Sequence, residues 1–329
     1  MHRHGALILL WLTMVTLTGV QARTFTDAGG RTMEAELISK QGDQVTIRRA
    51  DGVSFTVPAN KFSAEDQAFI QQWQPAGAPA PVSAAMVPTG PGDPRVKAGE
   101  VVALEFPALP KDHNGNVATC NVRIPDNYDA KKPVPLLVWM GGGKGSNSPN
   151  GGFPLVDKAE YAIAALPFPS SVGTPRDAMR TDEMDEIWKY HQVMLAELVK
   201  LLPNLDPKVR IVGGFSNGAH TIGVYISKAE KEFVELFNAF VIIEGGSPEP
   251  TAKKRLRNKY AYLAWGDDLS KQGGKSYMQS MVACAENARL EVTESNMEGI
   301  GHAFPDEEKA AVKKWIESVV VPGLAAAGD

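Results

Sequence analysis

The sequence predicts a mainly parallel α/β sheet, covered on both faces by helices and preceded by a small all-β module. Three features point to it. From about residue 101 onward, short apolar runs alternate with helical patterns, an order that produces parallel strands joined by crossover helices. One of these runs, 209–215, leads through Gly214-Phe215-Ser216-Asn217-Gly218 into helix-compatible residues. Ahead of residue 74 the runs are brief, alternating and separated by turn residues, which is the pattern of antiparallel hairpins.

Residues 1–22 read as an export signal, with Arg3, an apolar run over 6–20, and Val20-Gln21-Ala22 as a small-residue cleavage site. The mature chain is then expected to begin at Arg23 and to be periplasmic or extracellular. No other stretch approaches the roughly 20 apolar residues of a membrane span, so none is predicted. A formal charge of −4 over 329 residues gives no electrostatic case for a nucleic-acid partner. The one basic cluster, 253–259, reads as the solvated face of a helix. Cys120 and Cys284 fall in a predicted strand and a predicted helix; they read as small buried apolar residues, with pairing left open.

Residues 23–73 form the first module. Alternating runs at 23–27, 31–39, 44–49 and 53–57 are broken by Ala28-Gly29-Gly30, Gly42-Asp43 and Asp51-Gly52, and Ser63 is placed to cap a helix over 64–73. Through "RTFTDAGGRTMEAEL", "VTIRRADG" and "VPANKFSAEDQAFI" the module resembles the Sla homology-domain-one family, whose fold is a small Src-homology-three-like barrel. The resemblance implies a possible peptide or cell-surface ligand, or a purely structural appendage. Residues 74–100, rich in Pro, Ala and Gly, read as a semi-extended linker, leaving 101–323 as the larger domain.

Within that domain, strands are predicted at 117–125, 134–140, 161–166, 209–215, 240–244, 260–265 and 290–294. Helices are predicted after Thr181 and over 276–288 and 306–319. Glycines two residues before and two after Ser216 suit a strained strand-to-helix turn that lifts a serine above the sheet edge. A serine hydroxyl needs a base. His113 precedes the sheet, His191 lies inside a long helix as a packed or solvated residue, and His220 sits one turn beyond the serine, too deep to reach over it. His302, in the loop after the last strand, is the base that remains. The acid is expected after a strand between serine and histidine. Asp268 or its neighbour Asp267 fits best, and Glu244 is the weaker candidate. Backbone N–H groups of Gly142, Gly143 and Asn217 are placed to hold an oxyanion. Gly141-Gly142-Gly143-Lys144-Gly145 lacks the Gly-Lys-Ser/Thr of a nucleotide loop, and no cofactor or metal is called for.

With these parts in place, residues from about 115 to 320 resemble the α/β-hydrolase superfamily, and within it exported esterases of the polyhydroxybutyrate-depolymerase and feruloyl-esterase type. The matching stretches are "RIPDNYDAKKPVPLLVWMGGG", "VRIVGGFSNGAH", "LAWGDD" and "GIGHAFPDEEKAAVKKWI". The resemblance implies an exported serine hydrolase that cleaves a carboxylic ester, small or polymer-borne, through Ser216, His302 and Asp268 (or Asp267). A serine peptidase and a non-catalytic binding protein on the same fold are the alternatives. Two departures stand out: Met140 occupies the place of the histidine that usually opens the glycine loop, and the acid spacing is shortened to Gly266-Asp267-Asp268. With no long insertion after Glu244, the site is expected to be open.

Overall fold

The computed structural model describes residues 23–27, 29–41, 44–49, 54–72, 93–268 and 275–326, which fall into two compact units, one on either side of residues 78–79. Residues 1–22, read from sequence as a leader, and most of 74–100, read as a linker, lie outside the described residues.

In the smaller unit β1 (Arg23–Thr26), β2 (Thr32–Gln41), β3 (Gln44–Arg49) and β4 (Ser54–Pro58) pair in sequence order as an antiparallel sheet, followed by α1 (Ala64–Gln72). Alternation puts Phe25, Ala35, Leu37, Val45 and Ile47 on the face that packs against Phe62 and Ile70. Ser63 caps α1 as its sequence predicts, its Oγ accepting from Asp66 N at 3.2 Å. Buried Asp66 in turn accepts from Thr26 N and Arg23 Nη2, both at 2.7 Å, which fastens the helix to β1.

The larger unit contains β5 (Val101–Glu105), β6 (Thr119–Arg123), β7 (Val134–Met140), β8 (Ala162–Ala165), α2 (Pro175–Ala178), α3 (Met184–Leu201), β9 (Leu205–Phe215), α4 (Asn217–Lys228), α5 (Lys231–Leu236), β10 (Ala239–Ile243), β11 (Tyr260–Gly266), α6 (Lys275–Asn287), β12 (Glu291–Met297), α7 (Asp306–Trp315) and α8 (Val321–Ala326). The strands lie side by side as β12-β11-β10-β9-β7-β8-β6-β5, all parallel except β6, which runs against both neighbours. Period-two alternation divides the apolar run of β7. Leu136, Val138 and Met140 join the core under α3, α4 and α6, and Leu137 and Trp139 join the core under α7 and α8. Strand order reverses between β7 and β9, the place where a doubly wound sheet opens a crevice at its carboxyl edge.

Several local expectations are revised. Val96 packs on the larger core, Gly99 N donates to Pro125 O, and Ile124 N donates to Glu100 O, so 93–100 belongs to the larger unit and not to the linker. A chain starting at residue 91 is therefore expected to fold and melt cooperatively by circular dichroism, and one starting at Gly99 to melt several degrees lower. A non-cooperative melt of the longer fragment would count against two independent units. The basic cluster 253–259 is an exposed loop, not a helix, anchored by buried Leu256. The last helix continues past residue 319: a π-turn at Ile316–Val320, closed by Val321 N donating to Ile316 O, passes into α8, and Pro322, which has no N–H to donate, follows it directly. Cys120 in β6 and Cys284 in α6 are both buried and unpaired, and burial lifts their thiols to about 12 and about 11.

His191 is fully buried in α3. Its Nε2 lies 2.8 Å from Pro167 O, which only accepts, so that nitrogen carries the hydrogen and Nδ1 accepts from Tyr225 Oη at 3.1 Å. Burial holds its pKa down to about 4. The unfolded chain takes up a proton near pH 6.5 and the folded one does not, so this group removes stability as pH falls from about 6.5 to about 4. The loss is about 3 kcal/mol in total. Chemical denaturation at pH 7 and pH 4.5 is expected to show a smaller acid loss in His191→Gln than in the parent; equal losses would contradict this assignment.

Candidate active site

Ser216 stands between β9 and α4 with φ 53° and ψ −112°, a conformation that L-residues rarely adopt and that costs about 1–3 kcal/mol. Two backbone bonds hold it there: Ser216 N to Ile243 O and His220 N to Ser216 O, each 2.9 Å. The flanking glycines are there because the chain crosses itself. A Cβ on Gly214 would stand 2.5 Å from Gly218 C, and one on Gly218 would stand 2.0 Å from Met140 O. Strand, turn and helix thus form the elbow that the five-residue pattern predicts.

The loop after β12 brings His302 over this turn. Its Nε2 lies 2.9 Å from Ser216 Oγ, and its ring packs against Phe215 with centroids 5.1 Å apart. The imidazole is about one-third exposed. On the far side of the ring, Nδ1 faces Glu244 Oε2 at 3.3 Å. The Glu244 side chain is completely buried, and its Oε1 accepts a short hydrogen bond from Gly266 N. Glu244 follows β10, one strand nearer the serine than the position that the sequence favours for an acid. It reaches the ring because its backbone turns into the left-handed region, φ 56°, and because a glutamate is one methylene longer than an aspartate. Gly245 lets the chain pass directly beneath the elbow, where a Cβ would lie 2.7 Å from Ser216 O.

The preference for Asp268 or Asp267 as the histidine's partner is thereby corrected. Asp267 turns its carboxylate to the chain that leads to His302, accepting from Gly299 N at 2.7 Å and from Asn296 Nδ2 at 3.3 Å. Asp268 gives a backbone N–H to Ile300 O at 3.0 Å. Both hold the His302 loop to the end of β11, where Gly266 packs so closely that a Cβ would stand 2.1 Å from Ile300 O.

The glycine run after β7 reaches the same edge. A Cβ on Gly142 would lie 3.2 Å from Ser216 Cβ and 2.9 Å from the Phe215 ring, so the bare backbone of this residue borders the serine. Gly143 has φ 57°, and Gly145 N closes a turn on Gly142 O at 3.0 Å. Asn217 opens α4, where its N–H has no acceptor within the helix. Its side chain has a part that the sequence did not reveal. Nδ2 donates to Gly143 O at 2.7 Å and Oδ1 accepts from Arg176 N at 3.0 Å, so one buried amide ties the glycine loop and α2 to the elbow.

Eight strands with one antiparallel member, a reversal of order at β7 and β9, and a strained serine at the carboxyl edge decide the fold. The larger unit has the α/β-hydrolase fold. Residues 19–76 match the family model described as SLA1 homology domain 1, in agreement with the resemblance of the small module. No curated protein matches the chain. Among solved structures, it is similar to the Bacillus cereus carboxylesterase, at 21% identity over 57% of this chain and 89% of the other, with a TM-score of 0.44. It is also similar to the feruloyl esterase module from Clostridium thermocellum complexed with sinapinate, at 15% identity over 71% and 90%, TM-score 0.39. A prolyl endopeptidase is similar at 14% identity over 94% of this chain and 47% of its own, TM-score 0.49.

In this α/β-hydrolase unit the remaining histidines stand apart from the serine hydroxyl. His220 is buried on α4 with Nδ1 2.8 Å from Gly246 O, and burial lowers its pKa. His113 does not precede the sheet as expected but lies in the loop between β5 and β6, its backbone N donating to Phe168 O at 3.1 Å. Met140, in the place of the usual loop histidine, is buried beneath Gly218, and the bond from Asn217 Nδ2 orders the glycine loop instead. Among the described residues no cluster of His, Cys, Asp and Glu is arranged to hold a metal ion, and no helix is long and apolar enough to cross a membrane.

Proposed function

We propose that this chain is an exported serine hydrolase that cleaves a carboxylic ester through an acyl-enzyme. The observation that carries the reading is the relay at the elbow, Ser216 Oγ to His302 Nε2 at 2.9 Å and His302 Nδ1 to buried Glu244. With Nδ1–H donating to the carboxylate, Nε2 is free to take the Ser216 proton as Oγ attacks the acyl carbon. Glu244 keeps the imidazole in that tautomer and stabilises the imidazolium that forms. Negative charge on the former carbonyl oxygen falls where the backbone of Asn217 and of Gly142 and Gly143 can donate to it. His302 then protonates the departing alcohol, and a water, deprotonated by the same nitrogen, releases the acid.

A peptide bond would meet the same groups, so the decisive test sets short p-nitrophenyl esters beside a panel of peptide amides. Ester turnover with little or no amide cleavage is expected; the opposite preference would replace the esterase by a peptidase, and no turnover of either would favour a binding protein. Export rests on the leader, and N-terminal sequencing of the secreted protein is expected to begin at Arg23.

The Asn217 side chain acts as a positioning group for the loop that bears Gly142 and Gly143. Asn217→Ala is expected to lower kcat by about 10- to 100-fold with KM changed little, since the lost bond serves the transition state more than the bound ester. An equal change in KM alone would assign the residue to substrate binding.

A further inference from the structure

The residue whose backbone is bonded to Asn217 carries a cation that the mechanism leaves unused. Arg176 lies on α2, and its backbone N–H is bonded to the side chain of Asn217, the residue next to the nucleophile. This places its position relative to Ser216 through a single buried amide. The side chain is exposed, and among the described residues its guanidinium makes no ion pair. Of the acids that follow it in sequence, Asp177 accepts from Thr174 Oγ1 at 2.8 Å and Glu183 accepts from Gly173 N at 3.4 Å, and neither they nor Asp182 forms an ion pair with Arg176. Burial above all lowers the basicity of His220 on the first turns of α4, and the charges of Arg176 and His302 add to it. A second cation stands on the same side. Arg180 Nη2 donates to Tyr277 Oη at 3.2 Å, and the Tyr277 ring meets His220 edge-on at 4.9 Å.

We infer that Arg176 recognises a carboxylate on the substrate, so that the ester suited to this site carries an acid group near the scissile bond. This rests on the ester-hydrolase reading given above. A guanidinium presents a planar fork of donors that matches a carboxylate. An exposed arginine usually gains from a counter-charge on its own chain or remains fully hydrated; held beside a nucleophile without such a partner, it offers that charge to a ligand. Arg180, fixed by Tyr277, adds to the positive potential on this rim without competing for the same fork.

The carboxylate can belong to the acyl part or to the alcohol part of the ester, and paired substrates separate the two. On the alcohol side, the butyrate of 4-hydroxybenzoate is compared with the butyrate of 4-hydroxybenzamide. On the acyl side, mono-4-methylumbelliferyl adipate is compared with 4-methylumbelliferyl hexanoate. In at least one pair, kcat/KM is expected to be about fivefold to tenfold higher for the charged member, mostly through KM, as suits a pair partly screened by water. The advantage is expected to shrink with added salt. Arg176→Gln is expected to bring the ratio close to one, Arg176→Lys to keep part of it, and Lys200→Gln, a charge loss on α3, to leave it as in the parent. A parent ratio near one in both pairs, or an unchanged ratio in Arg176→Gln, overturns the inference. Should no ester be turned over at all, the hydrolase reading fails separately. Calorimetric titration with 4-hydroxybenzoate then decides the anion site: heat in the parent that is lost in Arg176→Gln supports it, and no heat in the parent overturns it.

Discussion

Ser216→Ala is expected to reduce turnover of p-nitrophenyl butyrate by roughly a million-fold while leaving the fold intact. The size of the effect follows from the role proposed for the residue. Without its Oγ there is no acyl-enzyme, and His302 has no hydroxyl to deprotonate at 2.9 Å. The substitution removes one exposed oxygen from a position whose strained backbone is set by Gly214, Gly218 and the bonds to Ile243 and His220, so circular dichroism and melting temperature are expected to be those of the parent. Substantial activity in the alanine variant would remove Ser216 from the mechanism.

The second large effect belongs to Glu244. Glu244→Gln preserves length and shape but places an amide against His302 Nδ1. A ring that turns to the other tautomer presents N–H, not a lone pair, to Ser216. A loss of about 10⁴-fold in kcat is expected, as for a triad acid replaced by its amide. The same variant also tests the buried carboxylate's bond from Gly266 N, which an amide oxygen can still accept. Asp267→Asn and Asp268→Asn are expected to cost about tenfold or less, because the Asp267 carboxylate and the Asp268 backbone N–H hold the His302 loop, whereas the carboxylate at His302 Nδ1 is that of Glu244. If Asp268→Asn were the more damaging change, the acid would have to move to the position that the sequence suggested.

That reversal shows where sequence and structure part. The sheet was legible because buried parallel strands are nearly continuous apolar runs, and 134–140 and 260–265 leave little else to predict. The elbow was legible because glycines at two fixed positions answer a steric demand that any such turn makes. His302 was reached by elimination among few histidines, which needs only chain order. The carboxylate that stands beside His302 needed distances. Two adjacent aspartates after β11 drew the assignment, whereas Glu244 depends on a positive φ and on Gly245 packing under the serine, neither of which a propensity reveals. Glu244-Gly245-Gly246 at a strand end was the available signal: an acid followed by two glycines where the chain must pass close to the elbow. The tie from Asn217 to Gly143 and Arg176 joins residues 74 and 41 positions apart, and nothing local announces it. The 253–259 cluster failed as a helix for a related reason. Its charges carry no apolar stripe, and only Leu256 has a core to enter.

The rate and site of phosphonylation by a fluorophosphonate test the account most directly, since the reagent reports the activated nucleophile whatever the natural ester is. Mass spectrometry is expected to find one adduct per chain, on Ser216, formed rapidly in the parent and in Asp268→Asn and orders of magnitude more slowly in Glu244→Gln and His302→Ala. An adduct on another residue, or equal rates in the parent and Glu244→Gln, would contradict the relay of Ser216, His302 and Glu244.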